Sequence, residues 1–230
     1  MEEFQHIKKL ADLPLKTESE MEMVEIFVMA YNEHDLVADI VGRMIKHANY
    51  PFKLTVINNV IQNAPINTSK IWNHLIKGSV CDYVGIFDSD VFFQKDWLKR
   101  MMESFKNPEI DLVVPVLDNT SSPQARATQE GLYGSTEPLK EILTGQAVIY
   151  RKSIFEKYGY FDERFLLYGQ DSEWGYRFRK MGGKGEIRKD VFCHHIGGAS
   201  LTKLAEDLKD EYNPSVEREY ARKLFKYLCK

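Results

Sequence analysis

Cysteine is scarce in this chain: Cys81, Cys193 and Cys229 are the only three in 230 residues, and no two form a CxxC pair. An odd, scattered set builds neither a disulfide framework nor a zinc knot, and it fits a reducing compartment. Excess charge of one sign is missing too, with 31 Lys and Arg against 34 Asp and Glu and a formal net charge of -3. That balance excludes bulk electrostatic binding to nucleic acid or to an anionic membrane surface. A polyanionic ligand would have to be held locally, by a metal ion or by a few placed groups. No apolar run approaches the roughly 18 residues of a membrane-spanning helix. The opening stretch MEEFQHIKKLADLPLKTESEMEM has no apolar signal core. The expectation is a soluble cytoplasmic chain, at most peripheral to a membrane. What remains is ordinary globular composition, 43% hydrophobic and 28% charged, which excludes a mainly disordered, collagen-like or coiled-coil chain. The length suits one domain with a sizeable core.

Residues 1–23 read as a polar leader. From Val24 short apolar runs rich in β-branched residues alternate with segments of helical periodicity. VEIFVMA, KLTVI (53–57), YVGIF (83–87) and LVVPV (112–116) read as buried strands. Asp35–His47, Ser69–Lys77 and Trp97–Phe105 read as the helices between them. Such alternation predicts a mostly parallel central sheet with helices on both faces, and ligands of such sheets sit at the carboxyl ends of the strands. The polar clusters YNE, NN and DSD all fall at those ends. Asp118–Pro138 lacks apolar periodicity and reads as a long loop; Leu143–Arg151 leads into a further strand. Ser153–Tyr158 is a short helix with Ser153 as its cap, and Asp171–Met181 is a helix stopped by Gly182 and Gly183. Val191–His194 is a last short strand. Residues 201–230 form a helical extension, opened by Asn213-Pro214 and striped by Val216, Tyr220, Leu224 and Leu228.

Three clusters bear chemistry. Asp88-Ser89-Asp90 places two carboxylates at i and i+2 just past a buried strand, a donor set that suits Mg²⁺ or Mn²⁺. The plain alternative is an Asp-rich turn capping the next helix. Asp171 and Glu173 stand at the start of a helix, where a carboxylate serves either the helix dipole or proton abstraction from a hydroxyl. Arg177, four residues past Glu173, offers an ordinary helical ion pair. His194-His195 comes third: adjacent strand residues face opposite ways, so at most one imidazole reaches a site beside the strand. Tyr133, Trp174 and Tyr176 are candidates for an aromatic surface under a sugar ring, with core packing the favoured reading of the last two.

In their order along the chain, VMAYNE, WN before YVGIFDSD, GQAVIYRKSIFEKYGYFDERF, YGQDSEWGYRFRKMGG and HIGGAS resemble glycosyltransferase family 2, the nucleotide-sugar-dependent enzymes of the GT-A fold, over about residues 24–200. The resemblance implies a single α/β domain of Rossmann-like GT-A architecture. It implies a metal-dependent, inverting, hexosyltransferase-like enzyme of glycan biosynthesis that moves a sugar from a UDP-, GDP- or dTDP-sugar to a hydroxyl of a carbohydrate or glycoconjugate. Asp88 and Asp90 match the DxD motif, with Asp90 and His195 as ligands of a Mn²⁺ or Mg²⁺ ion and Asp88 beside them. Asp171 matches the catalytic base. Ala30, Tyr31, Glu33, Asn58, Asn73, Asp88, Ser89, Gly145 and Gln146 match nucleotide-sugar-binding positions. Two departures stand out: the family's Glu-Asp pair is Gln170-Asp171, and the second strand ends in Asn58-Asn59 where an Asp is usual. An amide offers both donor and acceptor, which alters base recognition.

Three rival readings are weaker. IFDSDVF resembles the opening motif of haloacid-dehalogenase-type phosphatases, but that motif normally opens a chain and has Thr or Val where Phe92 stands. A nucleotidyltransferase needs a Gly-rich first loop, and VMAYNEHD has no glycine. A non-catalytic carbohydrate-binding domain of the same fold would have little use for the acids at 88, 90 and 171.

Overall fold

The computed structural model describes residues 23–30, 34–58, 67–118, 136–138, 145–167 and 169–196. The leader and the expected C-terminal extension lie outside the described residues, as do Tyr31, Glu33, Asn59, Tyr133 and Tyr168. The elements run β1 (Val24–Ala30), α1 (His34–Ala48), β2 (Phe52–Asn58), α2 (Thr68–Gly78), β3 (Tyr83–Asp88), β4 (Val91–Phe93), α3 (Trp97–Glu103) with a 3₁₀ turn at Ser104–Lys106, β5 (Leu112–Leu117), β6 (Thr136–Pro138), β7 (Ala147–Arg151), α4 (Ile154–Tyr158), α5 (Gln170–Lys180) and β8 (Gly185–His195).

The strands form one sheet in the order β2-β1-β3-β7-β5-β8-β4, with β6 added against β8. β1 is parallel to β2 and β3, and β8 is parallel to β5; β7 runs against both β3 and β5, and β4 runs against β8. Five of the seven strands on the main path therefore point one way, the mostly parallel α/β sheet that the alternation of strands and helices predicts.

Alternate residues of each strand feed two cores. Val24, Ile26 and Val28 of β1, with Phe87, Val113, Ala147 and Ile149, pack under Ile40 and Met44 of α1 and Trp97, Leu98 and Met101 of α3. Phe27, Val84, Ile86, Val114, Val148 and Tyr150 face the other way, against Trp72 and Ile76 of α2, Phe155 of α4, and Trp174 and Phe178 of α5. A fully buried side chain of this kind contributes about 2 kcal/mol over an exposed one. A one-residue slip would exchange the two sets, so the pattern fixes the register. α2 opens where Asn67 Oδ1 accepts from Lys70 N. α5 stops where Gly182 takes φ +81°, the left-handed region that a β-carbon disfavours. Ser153 makes no side-chain cap bond at the start of α4.

β8 is longer than its sequence predicts, Gly185–His195 and not Val191–His194. The charged run Glu186–Asp190 hides a strict alternation in which Gly185, Ile187, Lys189, Val191, Cys193 and His195 are buried. Midway the pairing with β5 jumps from Pro115↔Arg188 to Val116↔Phe192, leaving three extra residues on β8. This bulge is stitched in place: the Asp190 carbonyl accepts from Gln94 Nε2 at 2.7 Å and Arg100 Nη1 at 2.9 Å, and the Asp190 carboxylate pairs with Arg188 at 2.6 Å. Before the bulge Ile187 faces the α2, α4 and α5 core; after it Val191 and Cys193 face the α1 and α3 core.

Candidate functional site

The carboxyl ends of β1, β2, β3, β5 and β8 lie along one edge, and the antiparallel β7 brings its amino end to the same edge. Ala30, buried at the end of β1, is in register with Asn58 at the end of β2, and Met29 with Asp88 at the end of β3. Asp88 N donates to the Gln146 carbonyl at 2.9 Å, which ties the end of β3 to the Gly145-Gln146 turn before β7.

Asp88-Ser89-Asp90 is not a helix cap. Ser89 and Asp90 form the tight turn between β3 and the three-residue β4, which pairs with the end of β8. The pairing Val91↔His195 and the bond from Ile196 N to the Asp90 carbonyl at 3.0 Å bring the histidine to the acids. His195 Nε2 stands 3.1 Å from Asp90 Oδ1 and 3.9 Å from Asp88 Oδ2. One candidate ligand atom from each of Asp88, Asp90 and His195 lies within 4.8 Å of the others. Two hard carboxylate oxygens and an imidazole nitrogen suit a divalent cation. Asp90 and Ser89 are buried, whereas the Asp88 side chain keeps 49% of its surface. The Asp88 carboxyl is nevertheless pushed up to about 7, first by loss of surrounding water and then by the negative Asp90 and Asp171, with His195 pulling the other way. A cation bound here would offset the negative charge that the carboxylates bring together.

Asp171 sits in the first turn of α5. Its Oδ2 accepts from Gly145 N at 2.8 Å and its Oδ1 from Ser172 N at 2.7 Å. Burial raises its pKa above the usual carboxylate value, and those backbone bonds oppose the rise. A β-carbon at Gly145 would stand 3.2 Å from the Asp171 β-carbon and 3.4 Å from Oδ2, close enough to press Asp171 aside by a few tenths of an ångström. The carboxylate is fixed in place and partly stripped of water, the state of a base waiting for a hydroxyl. Beside it the buried Oε1 atoms of Gln146 and Gln170 have no hydrogen-bond partner among the described residues.

Other sequence expectations land elsewhere. Asn73 does not reach the edge: it is buried on α2, its Oδ1 accepts from Phe161 N, and its Nδ2 donates to the Phe161 carbonyl and Glu163 Oε1. It braces the loop after α4, so its assignment to the donor site is corrected to a structural one. Trp174 is core, fully buried, with Nε1 donating to the Gly159 carbonyl. Tyr176 is partly buried with Lys180 Nζ 5.7 Å over its ring.

Of the two histidines, the structure turns His195 to the acids and His194 away, over the Phe92 ring. His194 Nδ1 meets Asp118 Oδ2 at 2.5 Å, and Asp118 Oδ1 accepts from His195 N at 3.0 Å. Asp118 escaped the sequence reading. The available signal was its place directly after the buried run LVVPVL, the setting that made Asp88 conspicuous after YVGIF.

A model of the family described as Glycosyl transferase family 2 matches residues 60–178, just over half of the chain. The match takes in Asp88, Asp90, Gly145, Gln146 and Asp171 and leaves Ala30 and His195 outside. No curated protein matches by sequence. Among solved structures the chain is similar to S. aureus TarS 1-349, at 14% identity and a TM-score of 0.61, over 85% of this chain and 68% of that one. It is also similar to GalNAc-T7 crystallised with UDP, GalNAc and Mn²⁺, at 12% identity and a TM-score of 0.57, over 76% of this chain. The alignment spans 44% of the GalNAc-T7 chain, under half its length. Both likenesses are of fold, the GT-A glycosyltransferase architecture. Among the described residues no helix is long and apolar enough to cross a membrane.

Proposed function

The chain belongs to glycosyl transferase family 2, and from that membership we propose that it moves a sugar from a nucleotide-diphospho-sugar to a hydroxyl of a carbohydrate or glycoconjugate, inverting the anomeric centre. The observation that carries the reading is the meeting at one sheet edge of Asp88, Asp90 and His195 with an Asp171 whose two oxygens are held by backbone amides. Asp90 and His195, joined by Asp88, would hold a divalent ion, Mn²⁺ or Mg²⁺. Bound there, the ion would offset the donor's diphosphate charge and ease departure of the nucleotide.

The protein's own residues supply the rest. Asp171 takes the proton of the acceptor hydroxyl, and its raised affinity for protons makes it a better base than an exposed carboxylate. The Gly145 and Ser172 amides hold its oxygens in place while the acceptor approaches. Ala30, Tyr31, Glu33 and Asn58, at the ends of β1 and β2 and just beyond, are where the nucleotide base would sit. Ser89, Gly145 and Gln146 line the sugar side. A single displacement from the face opposite the diphosphate inverts the centre.

The test is calorimetry of UDP-, GDP- and dTDP-sugars with Mn²⁺ or Mg²⁺, repeated on Asp90→Ala. One nucleotide should bind, metal-dependently, and Asp90→Ala should lose that dependence. Equal donor affinity with and without metal would defeat the cation assignment, and donor binding without transfer to any acceptor would leave a binding domain in place of an enzyme.

A further inference from the structure

β5 ends at Leu117, two register pairs after the bulge, and the backbone ladder to β8 closes with Asp118 N donating to the Cys193 carbonyl at 3.2 Å. His195, the last residue of β8, lies one step beyond that ladder. On the β5 side its N–H therefore has no strand carbonyl to meet, and the Asp118 carboxylate supplies the acceptor, Oδ1 at 3.0 Å. The second oxygen of the same carboxylate takes the His194 ring. One side chain thus grips both residues of the pair, one by its backbone and the other by its imidazole.

We propose that Asp118 is the positioning residue of the cation site, clamping the end of β8 so that His195 presents Nε2 to Asp90. The inference rests on the proposed cation site and adds a residue to it. The opposite flank of His195 is already set by β4 through Val91, and a strand end fixed on one side only is free to twist. Rotation of β8 about its axis by one residue would exchange the two imidazoles, since neighbours on a strand face opposite ways. With Oδ2 bound to the ring that faces away and Oδ1 to the backbone of the ring that faces in, the carboxylate opposes that rotation at both residues. His194 is further held by Phe92, whose ring centroid lies 6.2 Å away, and Phe92 in turn lies beneath the Arg43 guanidinium at 5.3 Å.

The readout is binding of Mn²⁺ alone, by loss of the free-ion signal in electron paramagnetic resonance, with thermal unfolding in parallel. Removing a group that orients a metal ligand typically weakens metal affinity about 10- to 100-fold, and Asp118→Ala should fall at the lower end of that range. Asp118→Asn keeps an acceptor for His195 N–H and should bind Mn²⁺ close to the unchanged protein. His194→Ala removes one of the two anchors and should give a smaller loss than Asp118→Ala. A lowered melting temperature with unchanged Mn²⁺ affinity in Asp118→Ala would reduce Asp118 to a structural bond and overturn the proposal. Should Asp118→Ala fail to fold, unchanged affinity in His194→Ala overturns it as well. Failure of the unchanged protein to bind Mn²⁺ would overturn the cation site itself, a distinct result, and the proposal with it.

Discussion

Two acidic pairs share one spacing and meet opposite fates. Asp88 and Asp90 lie two apart on a strand-turn, and both carboxylates face the same small volume within reach of His195. Asp171 and Glu173 lie two apart on a helix, where two residues turn the chain by about 200°. Asp171 therefore looks to the sheet edge. Glu173 looks inward, buried, and pairs with Arg177 at 2.5 Å. Arg177 in turn donates to the Tyr158 carbonyl at 2.7 Å and the Tyr160 carbonyl at 2.8 Å, so this second acid holds the loop after α4 against α5. The same interval reads as a chelating pair in one backbone and as one reactive and one architectural group in the other. Spacing alone therefore does not assign an acid; the element under it does.

Asp171→Asn should break the reactive member most severely. General-base loss costs about 10²- to 10⁴-fold, and turnover should fall by that order while donor affinity by calorimetry holds. Near-normal turnover would remove Asp171 from the chemistry. Glu173→Gln tests its helical neighbour: breaking a buried pair costs about 3 kcal/mol, seen as an earlier denaturant midpoint, and folded enzyme should turn over nearly normally. A selective loss of turnover without loss of stability would put Glu173 in the site and dissolve the contrast. Gly145→Ala gives a milder change, because its β-carbon must displace Asp171 by a few tenths of an ångström. A several-fold drop in kcat with KM for the donor unchanged is expected, and an equal rise in KM would argue that the turn holds donor and not base.

The smallest effect is a pH slope from the chelating pair. The Asp88 carboxyl rises from 3.8 to about 7 on folding, so between those values the folded chain binds more protons than the unfolded one. The stability Asp88 contributes is full below its unfolded value and is lost as pH rises through about 7. In EDTA the melting temperature should decline more across that window in the unchanged protein than in Asp88→Asn. Added Mn²⁺ should recover more of it at the alkaline end, and identical slopes for the two proteins would show that Asp88 is not under strain from its neighbours.

Much of this frame was legible in the residues. Strand VEIFVMA and helix Trp97–Phe105 declare themselves by apolar periodicity, and DSD was conspicuous because nothing polar precedes it for five residues. The hidden parts share a cause, interactions across the chain that leave no local periodicity. β4 is three residues long and exists because β8 pairs with it. β6, inside the expected loop Asp118–Pro138, likewise exists through β8. The first half of β8 looks like a solvated charge run until Arg188 and Asp190 are seen to serve the bulge. Asn73 sits in a motif of the right family and yet serves a loop 88 positions away, which sequence order does not disclose. Which histidine faces the acids was undecidable from alternation alone, because the answer depends on the phase of the strand.

That phase is set by the bulge. Three extra residues on β8 are an odd number, and an odd number exchanges the faces of every residue that follows. With Arg188 held in register and the bulge kept at its present size, one residue gained at 189–191 would bring His194 to the place of His195, and one residue lost would bring Ile196 there. The bulge therefore works as a parity counter, and the chemistry of the sheet edge depends on how many residues it holds as well as on the Asp190 bonds that keep it in place.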